Sequence, residues 1–286
     1  MNAEKKIHAL RERYFAHALK KRNLLDVLGE TEVAEQVYNS NAIENSTLSL
    51  EDTEKILLQI DLDKYISERE LFEAKNLARV VEYIQKKSKE HELDSEMILF
   101  LHKMLLSNIN DEIAGRYRKN DEWVRVWSHI AVNPTEITSR MEIMLSTYYA
   151  SSRESIIKRI AKLHLTFEYI HPFVDGNGRI GRVINNYILI REWYVPLNIK
   201  FIDRKQYYSA FKEFDTKWET KIMEQIVEKA LSNSYHKRLA YLEEKEIISL
   251  KEYAKQQWIS YSNALNKAHR QSIEAFLEKW IWKIWI

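Results

Sequence analysis

The chain contains no cysteine, and only three prolines and five glycines among 286 residues. Without cysteine it has no disulfides, no thiolate metal site and no cysteine nucleophile. With so few helix breakers, long helices can run uninterrupted. Charge of one sign is also lacking. The 44 basic residues nearly balance 42 acidic ones, leaving a formal net charge of +2. Composition therefore gives the whole chain no attraction to nucleic acid or an anionic membrane. No window of about eighteen residues is apolar and uncharged, so no transmembrane helix and no membrane partner are expected. The start, "MNAEKKIHALRERYFAHALKKR", lacks the apolar core of a signal peptide. A cytoplasmic location is expected. There is no repeat at a fixed period and no low-complexity linker.

What remains is helical periodicity with hydrophobic residues at 45%. Ser49 is placed to cap a helix at "SLEDTEKILLQI", with acidic residues in its first turn. "SERELFEAKNLARVVEYIQKK" sets Leu71, Ala74, Leu77, Ala78 and Val81 on one face. Ile156, Ile157, Ile160, Leu163, His164 and Phe167 line another helix. Ile180, Val183, Ile184, Tyr187 and Ile188 line the one after it. "GRYRKNDEWVRVWSHIAVNP" breaks this pattern: rich in Val, Trp and Tyr and bounded by Gly115 and Pro134, it predicts a short hairpin or extended flap. The charge-rich "LEEKE" marks a boundary near 240–247, dividing the chain into 1–240 and 246–286.

Three of the five glycines fall in "HPFVDGNGRIGR", residues 171–182. Gly176 and Gly178 permit a sharp turn and close approach by a ligand. Successive N–H groups there can form an anion nest, and a helix starting near 177–179 aims its positive end at the same place. Arg179 and Arg182 share a helix face and can reach one polyanion. Asp175 is a hard oxygen ligand suited to Mg²⁺ held mainly by phosphates and water. His171 can take a proton near neutral pH. Taken singly, each of these residues has an ordinary structural role. Together they point to phosphate-ester chemistry on a nucleotide.

This stretch resembles the Fic family motif, His-x-Phe-x-(Asp/Glu)-Gly-Asn-Gly-Arg-x-x-Arg, which His171, Phe173, Asp175, Gly176, Asn177, Gly178, Arg179 and Arg182 match at every defined position. A weaker likeness extends over about 35–235. The resemblance implies a mainly α-helical Fic-type bundle with a β-hairpin flap and a small C-terminal helix-turn-helix module. It also implies transfer of AMP from ATP, with Mg²⁺, to a Tyr, Thr or Ser hydroxyl of a target protein and of the chain itself. In that scheme His171 is the base and Asp175 holds the metal. Gly176, Asn177, Gly178, Arg179 and Arg182 bind the phosphates, and Phe173 is buried beneath the loop. Val126, Trp127, Ser128, His129 and Ile130 resemble the flap that docks a target segment by strand pairing. Tyr207 and Tyr208 resemble a tyrosine pair near the nucleotide base, with plain helix packing the alternative.

Upstream, "SNAIEN" resembles the family's inhibitory motif, matched by Ser40, Glu44 and Asn45 on a helix at about 35–50. The resemblance implies that Glu44 pairs with Arg182 and occupies the guanidinium that orients the γ-phosphate. It also admits a part for Glu44 in the reverse reaction, removing AMP by positioning water. The tail resembles excisionase-type helix-turn-helix modules, with Lys251, Lys255, Lys267, His269 and Arg270 giving it basic character, so DNA is an expected partner and protein docking its rival. Two other functions stay open: a different phosphate-ester transfer on the same fold, or a DNA-binding regulator whose core only senses nucleotide. The intact Gly-Asn-Gly weighs against the first and His171 against the second.

Glycine is scarce while tryptophan, at eight, is abundant. The two anomalies meet at Trp127, Trp193, Trp258 and Trp280. Trp193 stands at a helix end before proline and Trp258 at the tail's turn, and relatives in the resembling family have glycine where Trp127 and Trp280 stand. Indoles at such turns are expected to be strained or exposed, and the four together suggest that 127, 193, 258 and 280 are UGA codons read as glycine in the source, with UGG at 282; the alternative is that these turns adopt other geometries.

Overall fold

The computed structural model describes residues 2–62, 64–126 and 129–286. In chain order the first elements are α1 (Ala3–Ala18), α2 (Arg22–Ile43), α3 (Leu50–Leu57), α4 (Glu68–Lys87), α5 (Ser95–Leu106), β1 (Arg125–Val126) and β2 (His129–Ile130). Then come α6 (Ile137–Ala150), α7 (Ile156–Ile170), α8 (Asn177–Arg191), α9 (Arg204–Lys217) and α10 (Lys221–Leu242). The chain ends in β3 (Ile247–Ser249), α11 (Leu250–Gln256), α12 (Tyr261–His269), β4 (Ala275–Glu278) and β5 (Ile281–Trp285). No helix among the described residues is long and apolar enough to cross a membrane.

Two compact units emerge: 33–194 with 199–226, and 1–32 with 195–198 and 227–286. The first is the mainly helical body. Its helices begin where the chain offers caps: Ser49 opens α3 with a capping box, and Ser67, Asp94 and Ser155 open α4, α5 and α7. α7 and α8 pack against each other, α6 and α9 cover α7, and α4 and α5 cover α8. The expected apolar faces are buried, including Ala74, Leu77, Ala78 and Val81 on α4 and all six residues named on α7. α8 is buried nearly all round, Arg179, Arg182, Asn185 and Asn186 included. Two arginines inside such a helix need partners, because burying unpaired charge is costly.

The other unit holds α1, most of α10 and the tail. Its ion pairs include Lys237–Glu278 at 2.7 Å and a buried Arg238–Glu32 contact. The tail is more than two helices and a terminal strand. β3, β5 and β4 form an antiparallel sheet in that order, with Ile248 opposite Ile284 and Leu277 opposite Trp282. β3 escapes a sequence reading because its three residues are shorter than a pattern of alternation needs, and β4 because its first three residues are all buried and do not alternate. Leu250, Ala254, Ala264, Ala268, Leu277, Trp282 and Ile284 make the buried cluster under this sheet.

Candidate functional site

All the residues of the glycine-rich motif lie in the helical body, at the turn from α7 into α8. α7 ends on His171 itself, whose φ is 49°, a left-handed cap that an L-residue adopts only when its surroundings hold it there. Two groups far away in sequence do so. Arg118 donates to the carbonyls of His171 (2.8 Å), Glu122 (2.9 Å) and Val132 (2.8 Å), while its own N–H donates to Pro172 O at 2.9 Å. His102 lies flat on Phe173, ring centroids 3.7 Å apart. Gly115 N–H donates to His102 Nδ1 at 2.9 Å, so Nε2 carries the proton and donates to Asp175 O at 3.0 Å. Burial drives the His102 pKa down to about 4, which keeps the ring in that neutral form. Neither Arg118 nor His102 has a sequence signal, since each is a lone polar residue outside any motif.

Phe173 is fully buried, as expected. Asn177 does more than offer a backbone amide: its side chain accepts from Phe173 N–H and donates to Phe173 O, both at 2.9 Å, stapling the loop. Gly176 takes φ 81° ahead of α8, and no side chain caps that helix. The first N–H groups of α8 therefore remain available to an anion.

His171 and Gly178 line two cavities. One, of about 430 Å³, is walled by Asp175, Gly176, Asn177, Arg179, Arg69 and Glu73. The other, of about 320 Å³, is walled by Tyr207, Tyr208, Phe211, Glu168 and the flap residues Arg125 and Val126. His171 turns Nδ1 toward Glu168, 3.3 Å from its carbonyl and 3.6 Å from Oε2, which leaves Nε2 for a substrate. Glu168 is buried, which opposes its charge, but its bond to His171 together with the nearby His164, His171 and Arg182 lowers its pKa.

The two arginines diverge instead of sharing partners. Arg182 donates to Ser40 Oγ, Ser40 O and Glu44 Oε1, each at 2.9 Å, and to Tyr207 Oη at 3.1 Å. Burial works against its charge, yet the neighbouring Tyr207 and Glu44 raise its pKa. The Glu44 carboxylate also lies against Gly178 so closely that a Cβ there would collide with it. Asn45, at φ 71°, accepts from Arg204. Arg179 pairs with Glu73 at 3.0 Å and Asp175 at 3.1 Å. Arg69, on α4, closes the circuit, binding Glu73 at 3.0 Å and Asp175 Oδ2 at 2.5 Å. Burial pushes the Asp175 pKa up, but Arg179 and Arg69 more than reverse it, so the carboxylate stays ionised. Arg69 and Glu73 are functional neighbours that the sequence does not single out, because on α4 they read as an ordinary i,i+4 surface pair.

No group of three or more His, Cys, Asp or Glu among the described residues is arranged as a metal cage. One carboxylate fits Mg²⁺, whose other ligands are usually phosphates and water. Asp175 is the carboxylate that would serve here, its Oδ2 bound to Arg69 in this structure.

The expected tyrosines both line the second cavity but differ in their partners. Tyr207 is buried, its hydroxyl between Arg182 and His164 Nε2 (2.7 Å), whereas Tyr208 donates to Ile43 O at 2.7 Å. In the flap, β1 and β2 pair antiparallel, Val126 against His129. Val126 is buried and Ile130 exposed. His129 stacks on Tyr169 and meets Asp215 at 2.9 Å. Trp127 and Ser128 lie outside the described residues.

A helical body with an uncapped helix start, two inward arginines and a histidine beside the glycine turn is an arrangement whose chemistry suits an anionic ligand. In comparison with known proteins, residues 92–189 match the Fic/DOC family, so the chain carries a Fic domain. It is 30% identical over 183 residues to a protein adenylyltransferase Fic of Nematostella vectensis, covering 63% of this chain and 42% of that protein. The counterpart in Drosophila willistoni is 30% identical over 223 residues, 72% of this chain and 44% of that protein. The chain thus spans less than half the length of these relatives. Among solved structures, a Fic domain containing signaling protein from Bacteroides thetaiotaomicron superposes with a TM-score of 0.75 at 20% identity, covering 86% of this chain and 98% of that one. Fic-1 (residues 134–508) of C. elegans gives 0.70 at 24% identity, covering 85% and 72%. These likenesses establish the fold.

Proposed function

We propose that the chain transfers AMP from ATP to a Tyr, Thr or Ser hydroxyl of a target protein and of itself, and that Glu44 holds this reaction down. The observation that carries the proposal is His171 at the wall common to both cavities, with Nδ1 engaged by Glu168 and Nε2 left free. The acceptor oxygen attacks the α-phosphorus, the bond to the β-phosphate oxygen breaks, pyrophosphate leaves, and the hydroxyl proton goes to His171 Nε2. The N–H groups at the start of α8, Arg179 and Arg182 bind the phosphates. Asp175 would hold Mg²⁺, which when bound offsets phosphate charge. The flap edge docks the target by backbone pairing, which suits many sequences. Tyr208 and Phe211 suit the nucleoside end. An ATP-dependent reaction in a cysteine-free chain suits the cytoplasm.

The protein's own anion already stands at this site. Glu44 accepts from Arg182 and packs on Gly178, where a phosphate oxygen belongs. ATP binding with Glu44 in place leaves the γ-phosphate without its guanidinium. The same carboxylate suits the reverse reaction, in which it would orient water. The test is label transfer to protein from ATP labelled at the α-phosphate. Label arriving only from the γ-position would replace AMP transfer by phosphate transfer.

A second reading concerns the tail. α11 and α12 pack through Leu250, Ala254, Ala264 and Ala268. The outward side of α12 and its end carries Asn263, Asn266, Lys267 and Arg270, all exposed, with no acidic residue between Tyr253 and Ile273. A helix so equipped suits the major groove of DNA. Salt-dependent mobility shift of duplex DNA by the full chain, lost in Lys267→Ala/Arg270→Ala, tests it. A shift unchanged by those substitutions contradicts it.

A further inference from the structure

Four of the eight tryptophans, Trp193, Trp218, Trp258 and Trp280, have φ of 62°, 58°, 54° and 67°. This is the left-handed region, where a Cβ crowds the backbone and bulky side chains are rare. Each position has the backbone geometry that glycine ordinarily supplies. Trp193 follows the cap of α8: its N–H donates to Ile190 O at 3.1 Å and Tyr194 N–H to Leu189 O at 2.7 Å, the paired bonds of a Schellman motif, whose central residue is usually glycine. Trp258 repeats this after α11, with bonds from Trp258 N to Lys255 O (3.2 Å) and from Ile259 N to Ala254 O (3.0 Å). Trp218 ends α9 with the single bond of the simpler left-handed cap, N–H to Phe214 O at 2.9 Å. Trp280 is the second residue of the two-residue loop joining β4 to β5. Lys279 (φ 46°) precedes it, and Glu278 pairs with Ile281. Two successive positive φ values make a type I′ turn, whose second position strongly favours glycine.

The side chains show the same division. Trp258 is 96% exposed, and Trp193, Trp218 and Trp280 are all exposed as well. Trp193 meets Lys89, and Trp218 meets Tyr169 and the buried Phe214, yet both indoles stay exposed. By contrast, Trp282 and Trp285 on β5 have ordinary φ and are buried. Trp123 is exposed but also has ordinary φ, so it does not belong with the four. Trp218 has no nearby proline or turn signal and emerges only from the backbone. The division also bears on the composition: five glycines in 286 residues is far below the usual ~7%, and glycine at these four positions would make up part of that shortfall.

We infer that positions 193, 218, 258 and 280 are glycine in the polypeptide the source organism makes, because their codon is UGA and is read there as glycine. The native chain then carries no indole at the ends of α8 and α9, and both turns of the tail are bare. The gene and the native protein decide this. UGA at 193, 218, 258 and 280, with UGG at 282 and 285, is the expected pattern, and peptides from protein purified from its own cells should show glycine masses at the four sites. UGG at those four positions, UGA at all six, or tryptophan masses in the native peptides would overturn it.

Discussion

Replacing Glu44 by glycine removes the one carboxylate among the described residues that pairs with Arg182. Arg182 keeps its bonds to Ser40 and Tyr207, so its position survives while its fourth contact is released to the γ-phosphate. A hydrogen bond between charged groups contributes about 1.5–3 kcal/mol. The Glu44 side chain is 38% exposed, so solvent screening favours the lower part of that range. At one decade per 1.4 kcal/mol, about 1.5–2 kcal/mol predicts a rise of roughly 10- to 30-fold in productive turnover. The assay is the initial rate of self-labelling from α-labelled ATP at saturating nucleotide. Glu44→Gln, which keeps the volume and loses the charge, should fall between wild type and Glu44→Gly. An unchanged rate in Glu44→Gly, with nucleotide still binding, refutes the assignment of Glu44 as the restraint.

Other outcomes follow from the same geometry. Arg69→Ala frees Asp175 Oδ2 and should tighten Mn²⁺ uptake in the presence of a non-cleavable ATP analogue, read by electron paramagnetic resonance; for so exposed a pair the gain is about two- to fivefold. Asp175→Asn should abolish that uptake, and equal affinity in wild type and Arg69→Ala would show that Arg69 does not compete. Arg118→Ala leaves the carbonyls of His171, Glu122 and Val132 without their donor and should cost roughly 2–3 kcal/mol of stability, read as a lower urea midpoint. His102 and His164 are held neutral by burial, with pKa lowered from 6.5 to about 4. Below pH 6.5 the unfolded chain takes up protons that the folded chain refuses, so stability is full above that pH and lost toward pH 4. Each histidine contributes about 2 kcal/mol of this loss by pH 5. His102→Gln should therefore flatten the fall in urea midpoint between pH 7 and pH 5, and an undiminished slope would contradict the assignment.

The glycine turn, its histidine and the following helix were legible because their residues are contiguous and their chemistry points one way. The apolar faces of α4, α7 and α8 were legible from their spacing. The supports of the site were not. Arg69, Glu73, His102 and Arg118 come from other elements, and a lone charged or polar residue on a helix or loop reads as a solvated face until the fold brings it to the site. The divergence of Arg179 and Arg182 was also hidden: spacing places both on one helix but says nothing of Glu73 on one side and Ser40 with Glu44 on the other. In the tail, α11 and α12 were readable, whereas β3 is too short to show alternation and β4, buried at three successive residues, does not alternate. The cap at Trp218 was illegible because tryptophan is the last residue that backbone reasoning would place there.

The most direct test of the proposed chemistry uses His171→Ala on the Glu44→Gly background, where the restraint is gone and the base alone is in question. A positioned base contributes about 10²- to 10⁴-fold. Label transfer from α-labelled ATP should fall by at least two decades while nucleotide binding persists. Equal labelling with and without His171 would contradict the account.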